Sequence, residues 1–201
     1  LCTLYSVQTA EEEVASAKLA AVEMLRSGNT CFLEAGTILH LDEAFSELSK
    51  VGIRGRLGKW IWDLPPEPVI YRQSTDVAIE NLNRQLERYN KPSELLSAWS
   101  TLVGHTTCSD PLWREAKALA IKHDVGMSFH MSPAQIDPDG FVAEFGHRPI
   151  VHLAEIGVLD DRYALTHMVR VNDAEVDILA ESGASVAHCP NTALKVAYGV
   201  T

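Results

Sequence analysis

Six times along this chain an amphipathic stretch gives way to a short apolar run, and glycine repeatedly marks the join. Residues 11–27 have helical periodicity and end at Gly28, 41–51 end at Gly52, and a helix capped by Asn172 reaches Ser182 and ends at Gly183. Glycine closes a helix readily because no Cβ opposes the left-handed conformation needed there. Further helices are expected at 74–89, at 109–124 behind the start signal Ser109-Asp110-Pro111 with a stop at Gly126, and at 150–156 before Gly157. The apolar runs at 30–34, 53–62, 95–103, 127–131, 163–168 and 184–188 read as strands, although 95–99 taken alone also suits a helix. Pro65-Pro66-Glu67-Pro68 reads as a loop and 132–149 as a long one, and Pro190 is expected to break regular structure.

Strands that alternate with helices of this length build βαβ units and a parallel sheet. Their apolar character on both faces suits strands covered on both sides. No GxGxxG follows the first strand and no GxxxxGK[ST] occurs, so nucleotide-binding α/β folds have no support. A TIM-type (β/α)8 barrel fits better. It requires eight strands and typically ~250 residues. This chain supplies 201 residues and six strands, so two strands are expected to be missing.

Charge narrows the partners. Seventeen Lys and Arg stand against 27 Asp and Glu, a net charge of −10, with no basic cluster. Binding to polymeric nucleic acid depends on cationic contacts to phosphate, so such a partner is not expected. No apolar run is long enough to span a bilayer, so no membrane partner is expected. The start, Leu1-Cys2-Thr3-Leu4-Tyr5, lacks the features of a secretion signal and an initiator Met, which suggests processing or a longer parent chain. Cys2, Cys31, Cys108 and Cys189 form no CxxC pair, and free thiols suit a reducing cytoplasm.

Histidine carries the chemical signal. His130, His167 and His188 end three successive strands, and His105 ends the strand before them. In a parallel barrel these ends converge on one mouth, where active sites sit. Several imidazoles at one mouth suit a divalent metal. His40, His123, His147 and His152 fall in helix ends or loops and read as structural. Asp137, in the segment leaving the strand of His130, is either a reachable carboxylate or a turn residue of Asp137-Pro138-Asp139-Gly140. Glu34 either faces the mouth or sits beneath it. Cys189 beside His188 points to the opposite face and is no partner for it. Trp60, Trp62, Trp99 and Trp113 read as core.

With these residues in place, the chain resembles the amidohydrolase superfamily, in the branch of cytosine, guanine and methylthioadenosine deaminases and triazine hydrolases. Gly28-Asn29-Thr30-Cys31 is similar to that family's "GxTt", and His105-Thr106-Thr107-Cys108-Ser109 to a shortened "HxxYTxS". Ala187-His188-Cys189-Pro190-Asn191, with Leu194-Lys195 and Gly199, is similar to "HCPxSNxKLxxG". Leu165-Thr166-His167, after Gly157-Val158-Leu159-Asp160, stands in the family's order.

The resemblance implies strands two to seven of a barrel, one divalent metal (zinc more than iron), and hydrolysis of a carbon–nitrogen bond in a small nitrogen heterocycle. It implies that His130 and His167 are metal ligands, the latter alternatively a partner of the metal water, and that His105 and His188 contact substrate or leaving group. A homo-oligomer is also compatible with it. The family's HxH pair would precede Leu1 and its last metal Asp would follow Thr201, so residues 1–201 are expected to be the central part of one barrel domain. Three residues after His130, where most members carry a proton-shuttling Glu, this chain has Pro133, and Asp137 is the nearest replacement. A catalytically inactive relative serving as a binding or oligomer partner, or a hydrolase displacing a non-amino group, is the alternative.

Overall fold

The computed structural model describes residues 5–65 and 72–199, so Pro66, Glu67 and Pro68 of the expected loop lie outside the described residues, as does Cys2. Local signals start most elements. Helix α1 (Ala10–Arg26) opens with a capping box in which Thr9 and Glu12 satisfy each other's amides. Strand β1 (Cys31–Leu33) leads to α2 (Leu41–Val51), then β2 (Arg54–Leu57) and α3 (Thr75–Tyr89), whose Ser74 caps the Val77 amide. After β3 (Leu96–Ala98) and β4 (Ser100–Gly104), Ser109 caps α4 (Asp110–His123) with Pro111 in its first turn. Strand β5 (Met127–Met131), α5 (Ile136–Phe145), α6 (Pro149–Glu155) and β6 (Tyr163–His167) follow. The described chain closes with α7 (Asp173–Ser182), β7 (Ser185–Ala187) and α8 (Pro190–Lys195).

All strand pairs are parallel, in the orders β1-β2-β3 and β4-β5-β6-β7. The run expected as one strand at 95–103 is divided between these sheets at Trp99. Alternate amides there serve different neighbours: Trp99 N–H donates to Leu57 O and Val103 N–H to Ile61 O, whereas Ser100 N–H donates to Gly126 O. The register with β5 also shifts between Thr101 and Gly104. Such an irregularity interrupts the ladder locally and lets the strand bend.

Two expectations are corrected. The stretch 132–149 is not a loop, because α5 runs through it: Pro138 sits in the first turn, where a helix does not need its missing N–H, and Gly140 is tolerated in the interior. Pro190 does not break regular structure but begins α8, for the same reason.

The core lies between the strands and the helices that cover them. Leu57, Ala98, Leu102, Phe129 and Leu165 are fully buried on the strands, and Leu82, Leu86, Leu112 and Ala116 on α3 and α4. Burial of each large side chain contributes about 1.5–3 kcal/mol. Trp113 meets Phe129 edge-on at 4.6 Å, and Phe129 meets Tyr163 at 5.6 Å. Trp60, Trp62 and Trp113 are buried as expected, and Trp99 is half-buried. Strand β4 is buried at every position, whereas β1 and β7, at the ends of the strand order, have exposed positions. No helix among the described residues is long and apolar enough to cross a membrane.

Candidate active site

The ends of β4, β5 and β6 meet because their registers are nearly level: Gly104 faces His130, His130 faces Thr166, and Met131 faces His167. Gly104 permits the approach. Its φ is +89°, and a Cβ there would lie 2.0 Å from the His130 carbonyl oxygen. The chain turns immediately afterwards through His105–Thr107, bringing the His105 ring to 6.0 Å from that of His130. The His130 and His167 rings are 5.3 Å apart. Three of the four histidines picked out from sequence are thus brought together. His188, one residue beyond β7, is exposed at the edge of this group, within electrostatic reach of His167.

Burial sets the protonation of the inner rings. It pushes the pKa of His130 down to about 3, with His105 and His167 adding to the effect. A neutral His130 donates from Nδ1 to Val103 O at 3.2 Å and keeps Nε2 as an electron-pair donor. Burial also lowers the pKa of His167, and His105 and His188 act in the same direction. The Nδ1 of His167 is enclosed without a hydrogen-bond partner.

Asp137 is the carboxylate of the group. It lies in the first turn of α5, buried, with Oδ2 3.0 Å from His105 Nδ1 and accepting the Ser132 amide at 2.6 Å. The sequence left Asp137 between a turn residue and a mouth residue; the helix places it beside His105.

The backbone here is strained. His105, Ser132, His167 and Met168 have φ values of +56°, +50°, +84° and +53°. Each such conformation costs on the order of 1–3 kcal/mol in a non-glycine residue, and strain of this kind collects at functional sites. Ser132 was not singled out from sequence, yet its hydroxyl is buried without a partner while its carbonyl accepts the amides of Val169 and Arg170. Nothing in the spacing signals it, because left-handed serine leaves no pattern.

The other histidines have structural surroundings. His152 Nε2 lies 2.8 Å from Asp110, His123 Nε2 3.0 Å from Asn83, and His147 3.4 Å from Glu155, and His40 precedes α2. Glu34 caps its own turn, accepting the Gly36 and Thr37 amides at 2.7 Å each.

The sequence profile of the amidohydrolase family matches residues 3–201. The chain belongs to the amidohydrolase family. A 5-methylthioadenosine/S-adenosylhomocysteine deaminase of Halobacterium salinarum is 30% identical over 189 residues, 92% of this chain and 42% of that protein. The chain therefore spans less than half the length of this curated relative. An adenosine deaminase from Xanthomonas campestris, solved with bound zinc, superposes with a TM-score of 0.82 at 28% identity, covering 97% of this chain and 43% of that one. An atrazine chlorohydrolase from Arthrobacter aurescens, with a TM-score of 0.87 at 18% identity over 96% of this chain and 45% of that one, shares the fold.

Within this amidohydrolase chain, no group of three or more His, Cys, Asp or Glu side chains among the described residues is arranged to hold a metal ion. His130 and His167 stand as a pair of neighbouring imidazoles. The donor chemistry nevertheless suits a divalent metal, because burial keeps His130 neutral and the Nδ1 of His167 is unpartnered.

Proposed function

We propose that this chain is the central part of a (β/α)8 barrel, strands two to seven, from a hydrolase that cleaves a carbon–nitrogen bond of a small nitrogen heterocycle. The favoured reaction is deamination with one divalent metal, zinc in preference to iron. The observation that carries this reading is the convergence of His105, His130 and His167 at successive strand ends, with Asp137 beside His105. Relatives named as deaminases, and a zinc-bound adenosine deaminase structure, support it.

In this reading His130 and His167 hold the metal, and ligands outside this sequence complete the coordination, since catalytic zinc usually has three protein ligands. A divalent ion so held lowers the pKa of a water molecule toward neutrality. The other roles belong to this chain's own side chains. Asp137 sets a carboxylate 3.0 Å from Nδ1 of His105, and the two take over proton transfer where Pro133 offers no titratable group. His188 contacts the substrate from the exposed edge.

The test is metal analysis and ammonia release in the full-length protein. His130→Ala is expected to abolish stoichiometric metal and turnover together. Unchanged metal content in that variant, or turnover that survives chelation, would overturn the reading. Pro133 favours a second one, a catalytically inactive relative that binds partners or substrate only. Turnover in the full-length protein, reduced about 10²–10⁴-fold by Asp137→Ala, would exclude it.

A further inference from the structure

We propose that the guanidinium of Arg170 receives an anionic group, carboxylate or phosphate, carried by the heterocyclic substrate bound at the strand ends. Arg170 lies three residues beyond His167, in the connection from β6 to α7. Its backbone is held from both sides. The amide donates to Ser132 O at 2.9 Å, and the carbonyl accepts Nη2 of Arg148 at 2.6 Å. Ser132 is the residue whose own amide holds Asp137, so the position of Arg170 is tied to the site.

The side chain is another matter. Arg148 is neutralised by the fully buried Glu175 at 2.7 Å, Arg88 by Asp42 at 2.6 Å, and Arg162 meets Asp124 at 3.2 Å. Arg170 pairs with no carboxylate among the described residues, and its Nε is enclosed without a hydrogen-bond partner. The chain contains 27 acidic residues against 17 Lys and Arg, so a shortage of counter-charge does not explain this. The side chain is half-buried, and a buried Nε–H left without an acceptor is costly.

Space is kept for it as well. A Cβ on Gly199, where φ is +112°, would lie 2.6 Å from Nη2 of Arg170, so the guanidinium rests against a backbone that has no side chain to displace it. Gly199 follows α8, which itself begins two residues after His188. Arg170 therefore bridges the connections that leave the strand ends of His167 and His188. A planar fork of donors at that place matches the two oxygens of a carboxylate or phosphate.

The proposal rests on the strand ends being a substrate site, and the experiment reads binding rather than turnover. Calorimetric titration of the full-length protein compares adenosine with adenosine 5′-monophosphate, and 4-aminopyrimidine-5-carboxamide with the matching 5-carboxylate. In at least one pair the acidic member is expected to bind about tenfold or more tightly, as one charge-assisted hydrogen-bonded pair supplies. Arg170→Gln should erase the difference and leave the neutral member unchanged, and Arg170→Lys should retain part of it. Equal affinities in both pairs, a difference that survives Arg170→Gln, or a carboxylate of the protein seated on Arg170 in a full-length structure would overturn the proposal. Discrimination in a protein without turnover would sink the hydrolase reading and leave this one standing.

Discussion

The half of the molecule built on β1–β3 and the half built on β4–β7 treat buried polar groups differently. In the first, Glu13 accepts the amides of Leu39 and His40, and Asp63 accepts the amide and hydroxyl of Ser109 and the hydroxyl of Thr75. Gln85 accepts the Lys59 amide and donates to Trp99 O. These groups staple loops to helices, and their hydrogen-bonding capacity is spent on the fold. In the second half, Ser132 Oγ, Tyr163 OH, His167 Nδ1 and Arg170 Nε are buried and unpartnered. The six non-glycine residues with positive φ among the described residues, from His105 to Ala197, also lie there. Unspent polar capacity and stored strain mark the half that is arranged for something other than its own stability.

Substitutions test that contrast. The largest effect is expected from Asp63→Ala, which leaves half-buried donors without their buried acceptor and should cost about 2–3 kcal/mol in denaturant unfolding. Metal content per folded molecule should stay the same. A smaller change in stability, or a change in metal content, would mean that the first half is not purely structural. Ser132→Gly removes an unpartnered hydroxyl and relaxes a left-handed backbone. It should therefore stabilise by about 1 kcal/mol, an outcome that a paired serine would reverse.

The smallest effect concerns Glu34, whose carboxyl burial pushes above its ordinary value of 4.5, outweighing the hydrogen bonds from Thr37 and Gly36. Because the folded value is the higher one, the stability it contributes is present below pH 4.5 and is lost as pH rises through the folded value. Glu34→Gln should flatten unfolding stability between acid and neutral pH. A variant whose pH dependence matches the parent's would show the carboxylate to be well solvated.

Much of this architecture was legible along the chain because its causes are local. Caps at Thr9, Ser74, Ser109 and Asn172 start helices, glycine stops several of them, and the apolar runs form strands, of which β3 and β4 are buried at every position. Strand ends carrying His105, His130, His167 and His188 could be counted, and a parallel sheet gathers such ends. Helix α5 is not legible in the sequence because Pro138 and Gly140 usually break structure, and only position within a turn tells a proline that starts a helix from one that ends it. The pairing of Asp137 with His105, the left-handed Ser132 and the unpaired guanidinium of Arg170 depend on packing between segments distant in sequence. Residue order and spacing determined which groups this chain possesses and at which strand ends they stand. Tertiary structure alone decided which of them are paired and which are left open, because burial and hydrogen-bond partnership exist only once those segments meet.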